Sequence, residues 1–162
     1  MSVVSTTPDP QALTLTLVAD LAAPPVRAWA LWADARRLER WWGPPTWPAT
    51  FDSHDLRAGG TAKYHMTGPE GEVARGHWRF VAVDEPRAIE IDDAFAGDDG
   101  EPDPTMPVTR MVVALEAGGS GTTMTITSRF ASAEQMEQVV AMGMAEGMAE
   151  AVGQIDALLA AA

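Results

Sequence analysis

The chain has 162 residues, of which 46% are hydrophobic and 21% charged, which suits one ordinary globular domain and is short for two. Its 11 basic and 23 acidic residues give a net charge of −12, and this charge argues against nucleic acid or an anionic membrane as a partner. The absence of cysteine excludes disulfides, thiolate zinc sites and cysteine nucleophiles. Residues 1–11 lack the pattern of a signal peptide, and no apolar run approaches the roughly 18 residues of a membrane span. We therefore expect a cytoplasmic protein without membrane insertion.

The first part of the chain predicts one strand followed by two short helices. Residues 1–12 carry no clear pattern and are predicted to be a flexible N-terminus, with a single domain over residues 13–160. Apolar and polar residues alternate over 13–21, which is typical of a half-buried strand. Pro25 fits the first turn of a helix, and a second short helix is predicted over residues 35–42, ending before the Gly-Pro-Pro turn.

The middle of the chain predicts an antiparallel sheet. From residue 46 to residue 130, short strand-like runs alternate with Gly- and Pro-containing turns, the pattern of consecutive hairpins. Residues 123–128 alternate threonine with larger or apolar residues, so one face of the sheet is apolar. The acidic, proline-broken segment 97–104 is predicted to be a mobile loop.

The last segment predicts a long amphipathic helix from Ser132, with Gln135 completing a capping box, to about residue 159. Gly143 and Gly147 are poor helix formers, which suggests a bend or a close backbone approach. At 100° per residue, one apolar stripe holds Val140, Met144, Met148, Ala151, Ile155, Leu158 and Leu159. This stripe predicts a helix that covers the apolar face of the sheet.

Several local motifs resemble one known family. They are PVRAWALW at 25–32, RWWGP at 40–44, GHWRF at 76–80, EPR at 85–87, GTTMTIT at 121–127 and GMAEGM at 143–148. Over residues 13–159 the chain resembles the activator of Hsp90 ATPase homologue 1-like family of the START-like superfamily. The resemblance implies an α+β helix-grip fold, in which a curved antiparallel sheet wraps around the long C-terminal helix and two short helices follow the first strand.

The resemblance also implies an apolar cavity between the helix and the sheet. Relatives often have Trp at the position of Met148, so the cavity is expected to be wider here. The tryptophans and methionines on the predicted inward positions either fill the core or line a pocket. The sequence does not decide between these two alternatives. The predicted ligand-binding residues are Trp41, Trp42, Trp47, Tyr64, Met66, Trp78, Phe80, Phe95, Met111, Val113, Met144 and Met148.

Residues able to support catalysis are few. The polar candidates on inward strand positions are Tyr64, Ser128 and Asp93, and none has a partner identifiable from sequence, so no catalytic residue is predicted. The three histidines form no metal motif and are predicted to be exposed or on the sheet surface, while the acidic loop lacks calcium-loop spacing. We expect no metal and no cofactor.

Three functions are consistent with these features. The first is the binding of a small hydrophobic molecule, aromatic or lipid-like, in stress response or metabolite sequestration. The second is a START-like enzyme, either a cyclase/aromatase or a hydrolase. The third, implied by the family name alone, is a cofactor of an Hsp90-type chaperone. A homodimer formed through an apolar patch near Trp47 is considered as a further partner.

Overall fold

The computed structural model describes residues 3–119 and 121–161 as an α+β fold with one eight-stranded antiparallel sheet. The strands are β1 (Val3–Asp9), β2 (Thr14–Leu21), β3 (Ala49–His54), β4 (Thr61–Thr67), β5 (Val73–Asp84), β6 (Ala88–Ala96), β7 (Val108–Gly118) and β8 (Gly121–Arg129). The helices are α1 (Pro25–Ala33), α2 (Ala35–Leu38), α3 (Ala133–Ala141), α4 (Met144–Val152) and α5 (Ile155–Ala161). The strand order is β1-β2-β8-β7-β6-β5-β4-β3, and the START-like helix-grip architecture predicted from the motifs is confirmed.

The start of the chain differs from the prediction. Residues 1–12 were expected to be flexible, whereas Val3–Asp9 forms the edge strand β1 and pairs antiparallel with β2. The Val and Thr residues of this segment favour a strand, but the run is too short and too irregular to show clear alternation. The strand predicted over residues 13–21 is confirmed as β2.

The inner face of the sheet follows the predicted alternation. On β7, Met111 and Val113 are buried, and on β5, Trp78 and Phe80 are buried. The pairing of β5 with β6 shifts between Phe80 and Ala82, and such a bulge moves the inward side chains to the other parity. This shift explains why the end of β5 reads as apolar on both parities in the sequence.

The turn after α2 is tighter than expected. Helix α2 spans only Ala35–Leu38, where a helix over residues 35–42 was predicted, and the chain continues as turns through Trp41 and Trp42. A Cβ atom at Gly43 would lie 2.0 Å from the carbonyl oxygen of Trp47, so only glycine fits where the chain folds back on itself. The Gly-Pro-Pro segment therefore closes a compact turn that carries two tryptophans into the core.

The C-terminal helix is interrupted and not continuous. Ser132 caps α3 by accepting a hydrogen bond from the Gln135 backbone N–H at 3.1 Å, as predicted. Gly143 adopts φ 85° between α3 and α4, a left-handed conformation that glycine tolerates. This break changes the helical phase, so Val139 is buried and Val140 is exposed, although the continuous stripe placed Val140 inside. The predicted bend is confirmed at Gly143, while Gly147 lies within α4.

The core consists of two clusters of buried side chains. The larger cluster includes the rings of Trp32, Trp41, Trp42 and Trp78, with neighbouring Trp32 and Trp41 centroids 4.8 Å apart. The smaller cluster packs α3 against the ends of the sheet and holds Leu15, Phe130, Met136 and Val139. In the described part of the chain, no helix is long and apolar enough to cross a bilayer.

Candidate functional site

A cavity of about 250 Å³ lies between the sheet and the C-terminal helices. Its lining comes from both core clusters, since Val139 and Met144 belong to the smaller one and Trp42, Tyr64 and Met148 to the larger one. The cavity therefore lies where the two clusters meet. The cavity is partly open to solvent, so it is a pocket that a small molecule can enter and not a sealed void.

The helical wall of the cavity is apolar and contains a gap. It is formed by Val139 of α3 and by Met144, Gly147, Met148 and Ala151 of α4. A Cβ atom added at Gly147 would meet no atom within 4 Å. The missing side chain at this position therefore leaves space in the cavity. Glycine also destabilises the helix because of its low helix propensity, and no close packing contact at this position requires it. The sequence predicted a bend or a close backbone approach at Gly147, and the open space beside it shows neither.

The floor of the cavity is the inner face of the sheet, and it carries the polar groups. The lining residues of the sheet are Tyr64, Met66, Ala74, Arg75, Asp93, Ala94, Phe95, Thr109, Met111 and Ser128. Trp42 and Pro44 of the turn complete the wall. The site thus combines thioether and aromatic surface with a small number of hydroxyl and carboxyl groups, which is typical of small-molecule sites.

Tyr64 and Asp93 form the polar centre of the floor. The Tyr64 hydroxyl donates a hydrogen bond to Oδ1 of Asp93 at 3.2 Å. Gly76 makes room for this contact, because a Cβ atom there would lie 2.1 Å from Cζ of Tyr64. The Tyr64 ring therefore lies flat over the glycine on the neighbouring strand. This cross-strand glycine fixes the position of the phenol beside the carboxyl group.

The electrostatics of this pair follow from its burial. Burial raises the pKa of Asp93 to about 7, and the hydrogen bond from Tyr64 and the nearby Trp78 side chain oppose this shift. The Asp93 side chain retains some accessible surface and lines the cavity. Burial and the charge of Asp93 raise the pKa of Tyr64 well above its usual value. Near neutral pH, Tyr64 is therefore a hydrogen-bond donor, and Asp93 is present in both its protonated and its ionised form.

Ser128 supplies a second polar point on the floor. Its side chain is 1% exposed, and its Oγ has no hydrogen-bond partner. Buried hydroxyl groups are rarely left without a partner, because the lost hydrogen bond costs about 1–3 kcal/mol. The Ser128 hydroxyl is therefore available to a bound molecule, and the alternation of β8 allowed this residue to be found from the sequence.

The predicted ligand-binding residues divide into two groups. The structure brings Trp42, Tyr64, Met66, Phe95, Met111, Met144 and Met148 together around the cavity. Outside it lie Trp41, Trp78, Phe80 and Val113, which are buried in the larger cluster, and Trp47, which is half-buried. On one side, the cavity ends at the cluster of buried aromatic rings. Inward-facing side chains in that part of the sheet pack against these rings and do not reach the cavity. Val139, Thr109 and Ala151 line the cavity and were not predicted.

The histidines lie outside the cavity. His65 contacts Oδ2 of Asp52 through Nδ1 at 2.8 Å, and the half-buried His54 contacts the Trp32 carbonyl oxygen through Nε2 at 3.1 Å. The prediction that all three are exposed or on the sheet surface is wrong for His77, which is 8% exposed, and burial lowers its pKa. Within residues 3–119 and 121–161, no group of three or more His, Asp and Glu side chains could hold a metal ion.

The acidic loop has more structure than its composition indicated. Gly97 donates a backbone hydrogen bond to Glu101, and Ala96 forms an isolated bridge with Pro102. Glu101 accepts a hydrogen bond from Nζ of Lys63 at 3.0 Å. This contact holds the loop against β4, outside the cavity.

Comparisons with known proteins agree with this architecture. Residues 22–160 match the family described as "Activator of Hsp90 ATPase homolog 1-like protein". The chain belongs to this family. The family takes its name from an activator of the Hsp90 ATPase, a role that belongs to that protein. No curated protein matches the chain.

Solved structures of bacterial proteins resemble the whole chain. A protein from Arthrobacter aurescens is 50% identical, with a TM-score of 0.94 over 99% of this chain and 94% of that one. A protein from Mycobacterium smegmatis is 46% identical, with a TM-score of 0.90 over 97% and 96%. The AHSA1-like protein from Aeromonas hydrophila is 19% identical, with a TM-score of 0.68 over 90% and 93%, and shares the fold.

Gly76→Ala tests how the floor is built. We expect the added methyl group to displace the Tyr64 ring, to break its hydrogen bond to Asp93 and to lower the free energy of unfolding by about 1–3 kcal/mol. Urea unfolding measures this change. Gly118→Ala is the matched control, because a Cβ atom at Gly118 would meet nothing within 4 Å. Equal effects of the two substitutions would contradict the packing described here.

Proposed function

We propose that this protein binds a small apolar ligand in the cavity between the sheet and α4. The observation that carries this proposal is the space of about 250 Å³, partly open to solvent, that Gly147 and Met148 line between the sheet and α4. Side chains that line unfilled apolar space lose packing contacts, which a bound apolar molecule would restore. The absence of cysteine supports a cytoplasmic place of action.

The size of the cavity limits the ligand. An engineered apolar cavity of about 150 Å³ accommodates benzene, so a cavity of about 250 Å³ suits a ligand of roughly two fused rings or a short alkyl chain. Thioether side chains adapt to several ligand shapes, which supports recognition of a chemical class over a single compound. Burial of apolar area, at roughly 25 cal/mol per Å², provides the driving force.

Met148→Trp tests this proposal. The larger ring is expected to occupy the cavity and to weaken the binding of 1-naphthalenemethanol, a neutral two-ring probe, by at least about tenfold, which corresponds to 1.4 kcal/mol. Isothermal titration calorimetry measures the dissociation constant. The matched control is Met142→Trp, because Met142 is 55% exposed and does not line the cavity. Unchanged affinity in the Met148 variant, or equal losses in both variants, would contradict the proposal.

Proton transfer is a second candidate function, favoured by the Tyr64–Asp93 pair. A carboxyl group with a pKa of about 7 in an apolar cavity is suited to general acid–base work. This function requires turnover that is lost in Tyr64→Phe or Asp93→Asn while probe binding persists. A binding protein would show altered affinity in these variants and no turnover.

A further inference from the structure

We propose that the polar end of the cavity is a subsite for a protonated amine, so that the ligand is a small hydrophobic amine. The inference deepens the proposed binding function and rests on it. It is carried by the juxtaposition of the Asp93 carboxyl group, the rings of Trp42 and Tyr64, and the unpartnered Ser128 hydroxyl around one cavity.

The carboxyl group of Asp93 has no cationic partner within the described residues. Its hydrogen bond comes from the neutral Tyr64 on β4, and the neighbouring Trp78 on β5 and Thr109 on β7 are also uncharged. The helical wall opposite, formed by α3 and α4, contributes only uncharged side chains to the cavity. Arg75 is the other charged residue that lines the cavity, and within the described residues no hydrogen bond or ion pair joins its guanidinium group to Asp93. A buried carboxylate is stabilised when a cation pairs with it.

Two aromatic side chains line the same cavity as the carboxyl group. The ring centroids of Trp42 and Tyr64 lie 6.2 Å apart with the planes at 85°, so the two rings form a corner of the cavity. The faces of such rings attract cations electrostatically, and more strongly in a desolvated site. A carboxylate combined with aromatic walls is the chemistry that recognises ammonium groups.

The negative charge of Asp93 also argues against ligands that carry a negative charge. A hydrophobic acid would place its carboxylate beside Asp93 in a site of low dielectric constant, where like charges repel strongly. The net charge of −12 adds a long-range preference for cations over anions. Ser128, with both donor and acceptor capacity, is available to a second polar atom of the ligand.

A matched probe set tests this inference. The three probes are 1-naphthylmethylamine, 1-naphthalenemethanol and 1-naphthoic acid, which differ mainly in the charge of the substituent. At pH 8, above the Asp93 pKa of about 7, the amine is expected to bind at least about tenfold more tightly than the alcohol, and the acid at least about tenfold more weakly. At pH 5 the advantage of the amine over the alcohol is expected to fall at least about fivefold, because Asp93 is then protonated.

Two variants separate the subsite from the general field of the protein. Asp93→Asn is expected to reduce the amine-to-alcohol affinity ratio to about one, while Glu137→Gln, which removes one exposed negative charge, keeps the ratio of the unmodified protein. An amine-to-alcohol affinity ratio below about threefold at pH 8 in the unmodified protein would overturn the inference, and so would a ratio that does not change with pH. Either result does so regardless of the behaviour of Asp93→Asn. Alcohol binding without an amine preference would overturn the inference alone, whereas failure of all three probes to bind would overturn the proposed function as well.

Discussion

Asp93→Asn is expected to make the protein more stable than the unmodified chain at pH 8 and nearly equal to it at pH 4. Below pH 4 the Asp93 carboxyl group is protonated in both the folded and the unfolded state. Between pH 4 and about 7 the unfolded chain loses this proton and the folded chain keeps it, since the folded pKa is about 7. The contribution of Asp93 to the free energy of unfolding therefore decreases as the pH rises through this range, by about 2–4 kcal/mol.

The amide of asparagine has the same shape as the carboxyl group and does not ionise. The pH-dependent loss of unfolding free energy that Asp93 causes is therefore absent in Asp93→Asn. Urea unfolding at half-unit pH steps from 4 to 8 gives the difference between the two proteins, in which the titration of all other groups cancels. Glu137→Gln is the control, because Glu137 is exposed on α3. A stability difference that does not vary with pH would show that Asp93 ionises normally in the folded protein.

Trp41→Ala is expected to lower the free energy of unfolding by about 3–5 kcal/mol, the cost of removing a fully buried aromatic ring. Trp41 is 0% exposed and packs edge-on against Trp32 and Trp42. Its Nε1 donates a hydrogen bond to the Leu31 carbonyl oxygen at 3.0 Å. Nε2 of Gln154, in the turn between α4 and α5, donates a hydrogen bond to the Gly43 carbonyl oxygen of the same segment at 2.7 Å.

Two further variants divide this effect. Trp41→Phe keeps part of the ring packing and removes the hydrogen bond, so a loss of about 1–2 kcal/mol is expected. Trp47→Ala removes a half-buried ring of the same type, and we expect less than half the loss seen for Trp41→Ala. Chemical denaturation measures all three variants. A larger effect at Trp47 than at Trp41 would contradict the assignment of Trp41 to the core.

Local periodicity predicted most of the fold. The alternation of β2, β7 and β8 and the cap at Ser132 depend on neighbouring residues, so they can be read directly from the sequence. The positions of strand β1 and of the helix break at Gly143 could not be predicted from the sequence. The pairing of an edge strand and the phase of a helix depend on contacts with residues that are far away along the chain. A phase error of one residue, about 100° around the helix axis, exchanged Val139 and Val140 between the cavity side and solvent.

The candidate site was predicted in part for the same reason. Parity placed Tyr64, Met66 and Ser128 on the inner face, but it does not show where along a strand the packed core ends and the cavity begins. Trp78 and Tyr64 share a parity on paired strands, yet only Tyr64 lines the cavity. The partnership of Tyr64 with Asp93 joins residues 29 positions apart, and the raised pKa of Asp93 follows from burial that only the folded chain defines.

Native mass spectrometry of the protein as purified, compared with the denatured protein and with Met148→Trp prepared in the same way, tests the ligand-binding proposal most directly. A cavity with affinity for small apolar molecules retains what it meets in the cell. We predict an additional mass that is present in the native protein, absent after denaturation, and absent or much reduced in the Met148 variant. A bound mass retained equally by the Met148 variant would contradict the placement of the site. The absence of any bound mass, together with no binding of the naphthalene probes, would contradict the proposal that the cavity binds a ligand.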